Sequence, residues 1–319
     1  MSAAGRRVFV TGCTGFVGSH VVEHLRRDPK RELGVLMRPG SDPWRLDPKT
    51  LTRGGGATVI EGDLQRIDGL RADLARFAPD TVVHLAWDGV GPKERDDARQ
   101  LRNIDASIGL QQLAHEVGAT NWIGMGSQAE YGPHLASIRE TDATRPTTLY
   151  GATKLSVCHI GRLCAAQRQM RFVWLRLFST YGPKDHPRWL IPYVALALLK
   201  GESPALTEGR QNWDYVHVRD IASAVVAVVD DSDAEGVFNV GSGRVVTVRR
   251  VVERIRDLID PSRPLGFGQL LYRPDQVMHL EADISRLQRA TGWSPGTDLD
   301  RGLAETVDWY RERGDELRA

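Results

Sequence analysis

Apolar positions in this chain follow two rhythms that alternate from the start. Short, nearly unbroken apolar runs predict buried strands at Arg7–Thr11, Leu33–Met37, Thr58–Glu61, Thr81–Leu85, Trp122–Met125 and Phe172–Leu177. Between them, apolar residues spaced three and four apart predict helices at Gly18–Arg27 (closed by Asp28-Pro29), Leu70–Phe77, Asp97–Val117 and Tyr150–Ala166. Strands buried on both faces and separated by helices form a parallel sheet covered on both sides. The expected fold class is therefore α/β, with a doubly wound parallel sheet.

Past Phe178 the alternation loosens. Helices are expected at Ile191–Lys200, at Ile221–Val229 with Asp220 as its N-cap, and at Val248–Ile259. A short strand is expected at Phe238–Val240, then a Pro/Gly-rich stretch, Pro261–Pro274, and small helices at Asp283–Thr291 and Leu299–Arg311. This division predicts a sheet unit over residues 1–178, with 211–246 returning to it. A smaller, mostly C-terminal substrate-binding lobe would comprise 179–210 and 247–319. A cleft between the two, at the carboxyl ends of the strands, is where an open α/β sheet takes its ligand.

Composition removes several alternatives. The chain has 319 residues, 41% hydrophobic and 26% charged, with a net charge of +1. No basic excess points to nucleic acid, and no apolar run approaches the ~18 residues of a membrane span. Three cysteines, Cys13, Cys158 and Cys164, share no metal-like spacing and are expected to be reduced core thiols. The N-terminus enters the first strand almost at once without a signal-peptide pattern, so a cytoplasmic protein is expected.

The chemistry begins at the first strand–helix junction. Val8-Phe9-Val10-Thr11-Gly12-Cys13-Thr14-Gly15-Phe16-Val17-Gly18 reads as strand, glycine turn and helix start. Gly12 would permit the tight turn, Gly15 the approach of a pyrophosphate, and Gly18 close packing of helix on sheet. The helix start offers free N–H groups and a positive dipole end to phosphates, as in Rossmann folds. Tyr150 and Lys154, at i and i+4, share one face of a helix. A free tyrosine has a pKa near ~10; a lysine one turn away, with a positively charged nicotinamide nearby, favours the phenolate. Ser127, ending the fifth strand, could hold the same substrate oxygen.

These residues carry a resemblance. The chain resembles the extended short-chain dehydrogenase/reductase family, NAD-dependent epimerase/dehydratase type, in particular its nucleotide-sugar epimerases, dehydratases and 4-ketoreductases. The match runs from Thr11–Gly18 through Gly62-Asp63-Leu64, His84-Leu85-Ala86, Asn103, Ser127–Gly132 and Tyr150–Lys154. It continues through Leu175–Pro183, Asp214–Asp220 and Arg273-Pro274-Asp275. The resemblance implies catalytic roles for Ser127, Tyr150 and Lys154, with Lys154 also bonding the nicotinamide ribose. It implies cofactor contacts from Gly12, Thr14, Gly15, Phe16, Val17, Asp63, Leu64, Leu85, Ala86 and Asn103, and from Tyr150 and Lys154 themselves. Substrate contacts would come from Trp87, Gln128, Ser179, Trp213 and Arg273, the last on a nucleotide diphosphate. Relatives commonly dimerise through the two helices expected at Asp97–Val117 and Tyr150–Ala166.

Departures from the family pattern narrow the reaction. The 4,6-dehydratases carry an acid and a base after the fifth strand, where this chain has Gln128 and Ala129. Neither side chain can move a proton, which disfavours dehydration. NAD enzymes typically end the second strand with a carboxylate for the ribose 2′-hydroxyl. Here Arg38 stands there, with Ser41 beyond it and no carboxylate before Asp42. Arg38 is placed to meet a 2′-phosphate, favouring NADP(H), although it could also stack on the adenine of NAD(H). Ser179 replaces an asparagine, and Trp213 an arginine that would contact the diphosphate, with Arg210 three residues away as its substitute. Trp87 replaces a small residue and alters the expected sugar pocket. The reading is NADPH-dependent reduction of a nucleotide-linked 4-keto-6-deoxyhexose in deoxysugar biosynthesis. Alternatives are an NAD-dependent nucleotide-sugar 4-epimerase, a reductase of a small non-nucleotide carbonyl compound, and a non-catalytic NADP(H) sensor.

Overall fold

The computed structural model describes residues 6–51, 56–273 and 276–313. In chain order the elements begin with β1 (Arg7–Thr11), α1 (Phe16–Leu25), β2 (Glu32–Met37), α2 (Pro48–Leu51), β3 (Ala57–Glu61), α3 (Arg71–Phe77) and β4 (Thr81–His84). They continue with α4 (Arg102–Glu116), β5 (Asn121–Ser127), α5 (Leu149–Gln167), β6 (Arg171–Leu177), β7 (Ser179–Tyr181) and α6 (Leu190–Leu199). Then follow β8 (Asn212–His217), α7 (Val218–Asp230), β9 (Gly236–Val240), β10 (Val245–Thr247) and α8 (Val248–Ile259). The last are β11 (His279–Leu280), α9 (Ser285–Thr291) and α10 (Leu299–Arg313).

Seven parallel strands form the main sheet in the order β3-β2-β1-β4-β5-β6-β9. The order reverses between β1 and β4, which opens a crevice at their carboxyl ends. Alternation along β1 feeds both layers. Val8 and Val10 face α1 and α7 through Val21, Leu25, Val225 and Val228. Phe9 faces the other side, with Leu110 of α4, Val157 of α5, Trp122 and Trp174. Each such buried side chain contributes about 1.5–3 kcal/mol relative to exposure. A third cluster joins α6, α8 and α10 through Ile191, Val194, Val251, Ile255, Leu303 and Val307.

Several boundaries differ from expectation for local reasons. The helix after the glycine turn starts at Phe16, so Gly18 lies inside it rather than at its start. A tight 3-10 turn, Leu64–Leu70, precedes α3. Another at Ala98–Leu101, capped by the Asp97 carboxylate, precedes α4. Asp220 is not an N-cap. The cap of α7 is His217, and the Asp220 carboxylate accepts the Gly296 and Thr297 N–H groups at 3.0 and 3.1 Å. It anchors the loop before α10 instead.

A second sheet lies beside the first, unmarked by any apolar alternation along the chain. It contains β10, β8 and β11, with β7 also pairing with β8. Thus α7 and β9 of the segment 211–246 pack with the main sheet, while Asn212–His217 centres the second one. Asp214 is fully buried in β8. Its carboxylate accepts N–H groups from Ser242, Gly243 and Ala282 and the Ser242 hydroxyl. Of the cysteines, Cys13 and Cys158 are buried thiols, but Cys164 is only half-buried and so is not a core residue. Among the described residues, no helix is long and apolar enough to cross a membrane, and no cluster fits a metal ion.

Candidate active site

The glycine turn sits where β1 meets the crevice. Gly12 has φ +73°, and a Cβ there would stand 2.7 Å from the Ala86 nitrogen. A side chain is therefore barred by backbone conformation and by the neighbouring strand end together. A Cβ on Gly18 would run into the Gly12 carbonyl oxygen, so this glycine packs against the turn more than against the sheet. Gly15 differs from both. It is exposed, and its Cβ would meet only the Gly12 oxygen, at 3.2 Å. Gly15 is also the N-cap of α1, without a side-chain cap, and no acidic residue lies in the first turn. The helix start is an open, positively polarised cradle rimmed by half-exposed Thr14, Phe16 and Val17, which fits a pyrophosphate.

Thr11 locks this turn to the end of β4. Its hydroxyl accepts the Leu85 and Ala86 N–H groups at 3.2 Å each and bonds His84 Nδ1 at 2.8 Å. Burial draws the His84 pKa down to about 3, so the ring is neutral, and its other nitrogen meets Ser107 at 3.0 Å. Asn103, expected at the cofactor, turns its amide to the Asp88 backbone: the oxygen accepts the N–H and the nitrogen donates to the carbonyl, both at 3.0 Å. Its observed work is to close the loop that follows β4.

At the other end of the crevice, a cavity of about 650 Å³ is lined by Arg38, Ser41, Gly62, Asp63, Arg66 and Leu70. Asp63 accepts the Gln65 N–H at 3.0 Å and so fixes the turn that carries Arg66, while Leu64 packs inward with the α4 layer. Asp42 is drawn into its own turn by the Trp44 N–H at 3.0 Å. Among the described residues no carboxylate pairs with Arg38. Arg66 is a second cation on this cavity that sequence reasoning missed, since an arginine in a polar loop carries no local signal.

Ser127, Tyr150 and Lys154 come together at the carboxyl end of β5, and all three are buried. Thr148 caps α5 by accepting the Gly151 N–H at 3.1 Å, which sets the pitch of the Tyr150 turn. Lys154 Nζ donates to the Met125 carbonyl at 2.6 Å and rests 3.6 Å from the Trp87 ring centre. Burial lowers its pKa to about 7, against the opposing pull of Glu130. Burial raises the Tyr150 pKa, while Arg95 and the Ser127 hydroxyl beside the phenol lower it and Glu130 raises it. Ser127 Oγ accepts the Ala129 N–H at 3.2 Å, which leaves its own proton to donate.

Trp87, expected to shape the sugar pocket, stands edge-on to Tyr150 with centroids 6.1 Å apart and donates its indole N–H to Gln100 at 2.9 Å. It forms a wall of the catalytic group. Gln128 lies in the 3-10 turn after Ser127, half-buried. Ser179 and Trp213 belong to the second sheet, and the Trp213 indole N–H donates to the Val277 carbonyl at 3.4 Å. Arg210 pairs with Glu208 at 3.0 Å. Of Arg273-Pro274-Asp275, Pro274 and Asp275 lie outside the described residues.

The residue most underrated by sequence is Glu130. It is fully buried and accepts from Ser127 N at 2.9 Å, Trp174 Nε1 at 2.9 Å and Arg176 Nε at 2.7 Å. Arg176 is 4% exposed and also covers the Tyr131 ring. The pair fixes the end of β5 and with it the position of Ser127.

A glycine cradle for a dinucleotide at the sheet's switch point and a Ser–Tyr–Lys group at the end of β5 define an oxidoreductase of short-chain type. Comparison with known proteins agrees. Residues 8–241 match the model of the NAD dependent epimerase/dehydratase family, and the chain belongs to that family, a branch of the extended short-chain dehydrogenases/reductases. Its members are NAD-dependent enzymes. The chain is 27% identical over 339 aligned positions to dTDP-glucose 4,6-dehydratase 1 of Escherichia coli, covering 95% of this chain and 92% of the relative. UDP-N-acetylglucosamine 4-epimerase of Methanobrevibacter ruminantium, solved with UDP-N-acetylmuramic acid, matches with a TM-score of 0.86 and 29% identity, over 97% of this chain and 99% of that one. UDP-glucose 4-epimerase of Thermus thermophilus, solved with NAD, matches at 0.83 and 25%, over 96% and 99%.

Proposed function

We propose that this chain reduces a nucleotide-linked 4-keto-6-deoxyhexose to the 4-hydroxy sugar at the expense of NADPH, as a step of deoxysugar biosynthesis. The observation that carries the reading is a complete Ser127–Tyr150–Lys154 group without an acid–base pair beside it. Gln128 and Ala129 follow Ser127, and the nearby carboxylate, Glu130, is buried and bound to Arg176. Such a site can exchange a proton with one oxygen but has no group for eliminating water. The nicotinamide dinucleotide, when bound, supplies the hydride. The chain's own part is to hold the pyrophosphate at Gly12–Val17, to orient the carbonyl oxygen through Ser127, and to protonate it from Tyr150. Lys154 supports the phenolate left behind. Asp63, Leu85 and Ala86 line the cofactor's path. The substrate enters from the lobe side, where Ser179, Trp213 and Arg273 lie.

Arg38 and Arg66 support NADPH, because two guanidinium groups suit a 2′-phosphate better than a bare ribose. Arg38→Ala is expected to weaken NADPH binding by about 10- to 100-fold, since one charge-assisted hydrogen bond is lost, and to leave NADH nearly unchanged. Equilibrium titration with each nucleotide checks this; unaltered NADPH affinity would refute the assignment.

The reaction itself is tested by following NADPH and NADH consumption separately with a nucleotide-linked 4-keto-6-deoxyhexose. Stoichiometric loss of NADPH with appearance of the 4-hydroxy sugar is expected. Interconversion of unreduced sugar nucleotides with no net cofactor loss would support the second reading, a 4-epimerase, which the NAD-bound epimerase neighbour favours. The proposal includes a homodimer through α4 and α5, where Ile160 and Leu163 are exposed, and a cytoplasmic setting in which the free thiols stay reduced.

A further inference from the structure

The loop between β4 and α4 is stapled by buried amides. Gln100 Nε2 donates to the Gly89 carbonyl at 2.5 Å and to the Glu94 carbonyl at 3.0 Å, and Asn103 clamps Asp88 as described. From this rigid loop two neighbouring residues reach the start of α5. The Arg95 carbonyl accepts the Tyr150 N–H at 2.8 Å, and the Asp96 carboxylate accepts the Leu149 N–H at 3.0 Å. Both N–H groups belong to a first helical turn and would otherwise lack a partner. The loop and the catalytic turn are thus held as one piece.

The Arg95 side chain crosses the same junction. Its guanidinium carbon lies 5.0 Å from the Tyr150 ring centre and 5.9 Å from that of Trp189, the residue that opens α6. Its Nε is buried with no hydrogen-bond partner, and among the described residues no carboxylate pairs with it. A guanidinium stays charged at every working pH. Lys154 Nζ lies 5.9 Å from the same ring centre, but it also donates to the Met125 carbonyl and rests on Trp87.

We propose that Arg95 is a positioning residue for Tyr150: its fixed positive charge, held against the phenol by the stapled loop, stabilises the phenolate that proton transfer produces. The inference deepens the oxidoreductase reading and rests on it for the role of Tyr150. The charged groups facing this phenol are Arg95 from the loop, Glu130 from the turn after β5, Arg176 from β6 neutralising Glu130, and Lys154 from α5. Burial and Glu130 push the Tyr150 pKa up, and Arg95 is the charge drawing it down. Its guanidinium sits on the face of the Tyr150 ring, and a positive charge beside a phenol favours the phenolate.

The test is a phenolate absorbance titration of the full chain saturated with NADP⁺. The Tyr150 contribution is isolated by subtracting the Tyr150→Phe variant in each background. In Arg95→Gln the Tyr150 midpoint is expected to rise by about one pH unit or more, and in Arg95→Lys to stay near the wild-type value. Should Arg95→Gln fold poorly, Arg95→Met keeps the apolar packing on Tyr150 and Trp189 and serves the same comparison. A midpoint unmoved in the uncharged variants would overturn the proposal. The titration needs no sugar substrate, so absence of carbonyl turnover would count against the reductase reading alone. Where turnover is found, the rise of alcohol oxidation with pH should shift upward with the same midpoint.

Discussion

Replacing Tyr150 by phenylalanine is expected to lower turnover by about 10²–10⁴-fold, the range for losing a positioned general acid. Cofactor affinity should change by no more than about threefold, because the lost hydroxyl lies in the proton-transfer step rather than in the dinucleotide cradle. The structure makes the variant clean. The phenylalanine ring keeps the edge-on contact with Trp87 and the face offered to Arg95, and the helix cap at Thr148 is untouched. Ser127 retains its bond from Ala129 N, so the oxygen-holding group stays in place. Single-turnover cofactor oxidation, set beside a binding titration of the same variant, separates the two quantities. A Tyr150→Phe enzyme that still turned over at wild-type rate would remove the phenol from the chemistry.

Glu130→Ala should be the most damaging single change to stability, costing about 3–5 kcal/mol. The substitution leaves the buried Arg176 guanidinium without its counter-charge and strips the Trp174 indole N–H and Ser127 N–H of their acceptor. Each orphaned donor adds a desolvation penalty of its own, about 1–3 kcal/mol, though the terms overlap. Glu130→Gln keeps acceptor geometry for some of these donors and should cost less. Urea denaturation of the two variants beside wild type measures the difference. A loss under about 1 kcal/mol in Glu130→Ala would mean that water or a rearranged Arg176 takes over the carboxylate's place.

What the sequence makes legible is what short spacings encode. The order and type of the main-sheet elements follow from the period of apolar residues, and the glycine turn and Tyr150–Lys154 follow from spacings of three and four. The hidden parts depend on distant pairings. Glu130 and Arg176, 46 residues apart, meet because β5 and β6 are neighbours. The second sheet is built from strands of two to six residues whose partners lie far along the chain, with a buried aspartate in its central strand. Asp220 sits among cap-forming residues, yet its ligands are N–H groups more than 70 positions away. Arg95 reads as one more charge in a polar loop, and only the fold brings it to Tyr150.

The strand order also bears on how the protein is made. β6 pairs with β5 on one side, but its other edge waits for β9, which is complete only when Val240 has been synthesised. Before then the chain has left the main sheet, laid down β7 and β8, and returned, while β8 waits in turn for β10 and β11. On the ribosome, the apolar run Phe172-Val173-Trp174-Leu175 is therefore an open parallel edge for the whole of that interval, an invitation to pairing with other nascent chains. Neither sheet can close early. A fragment ending at residue 178 would carry the bare β6 edge permanently.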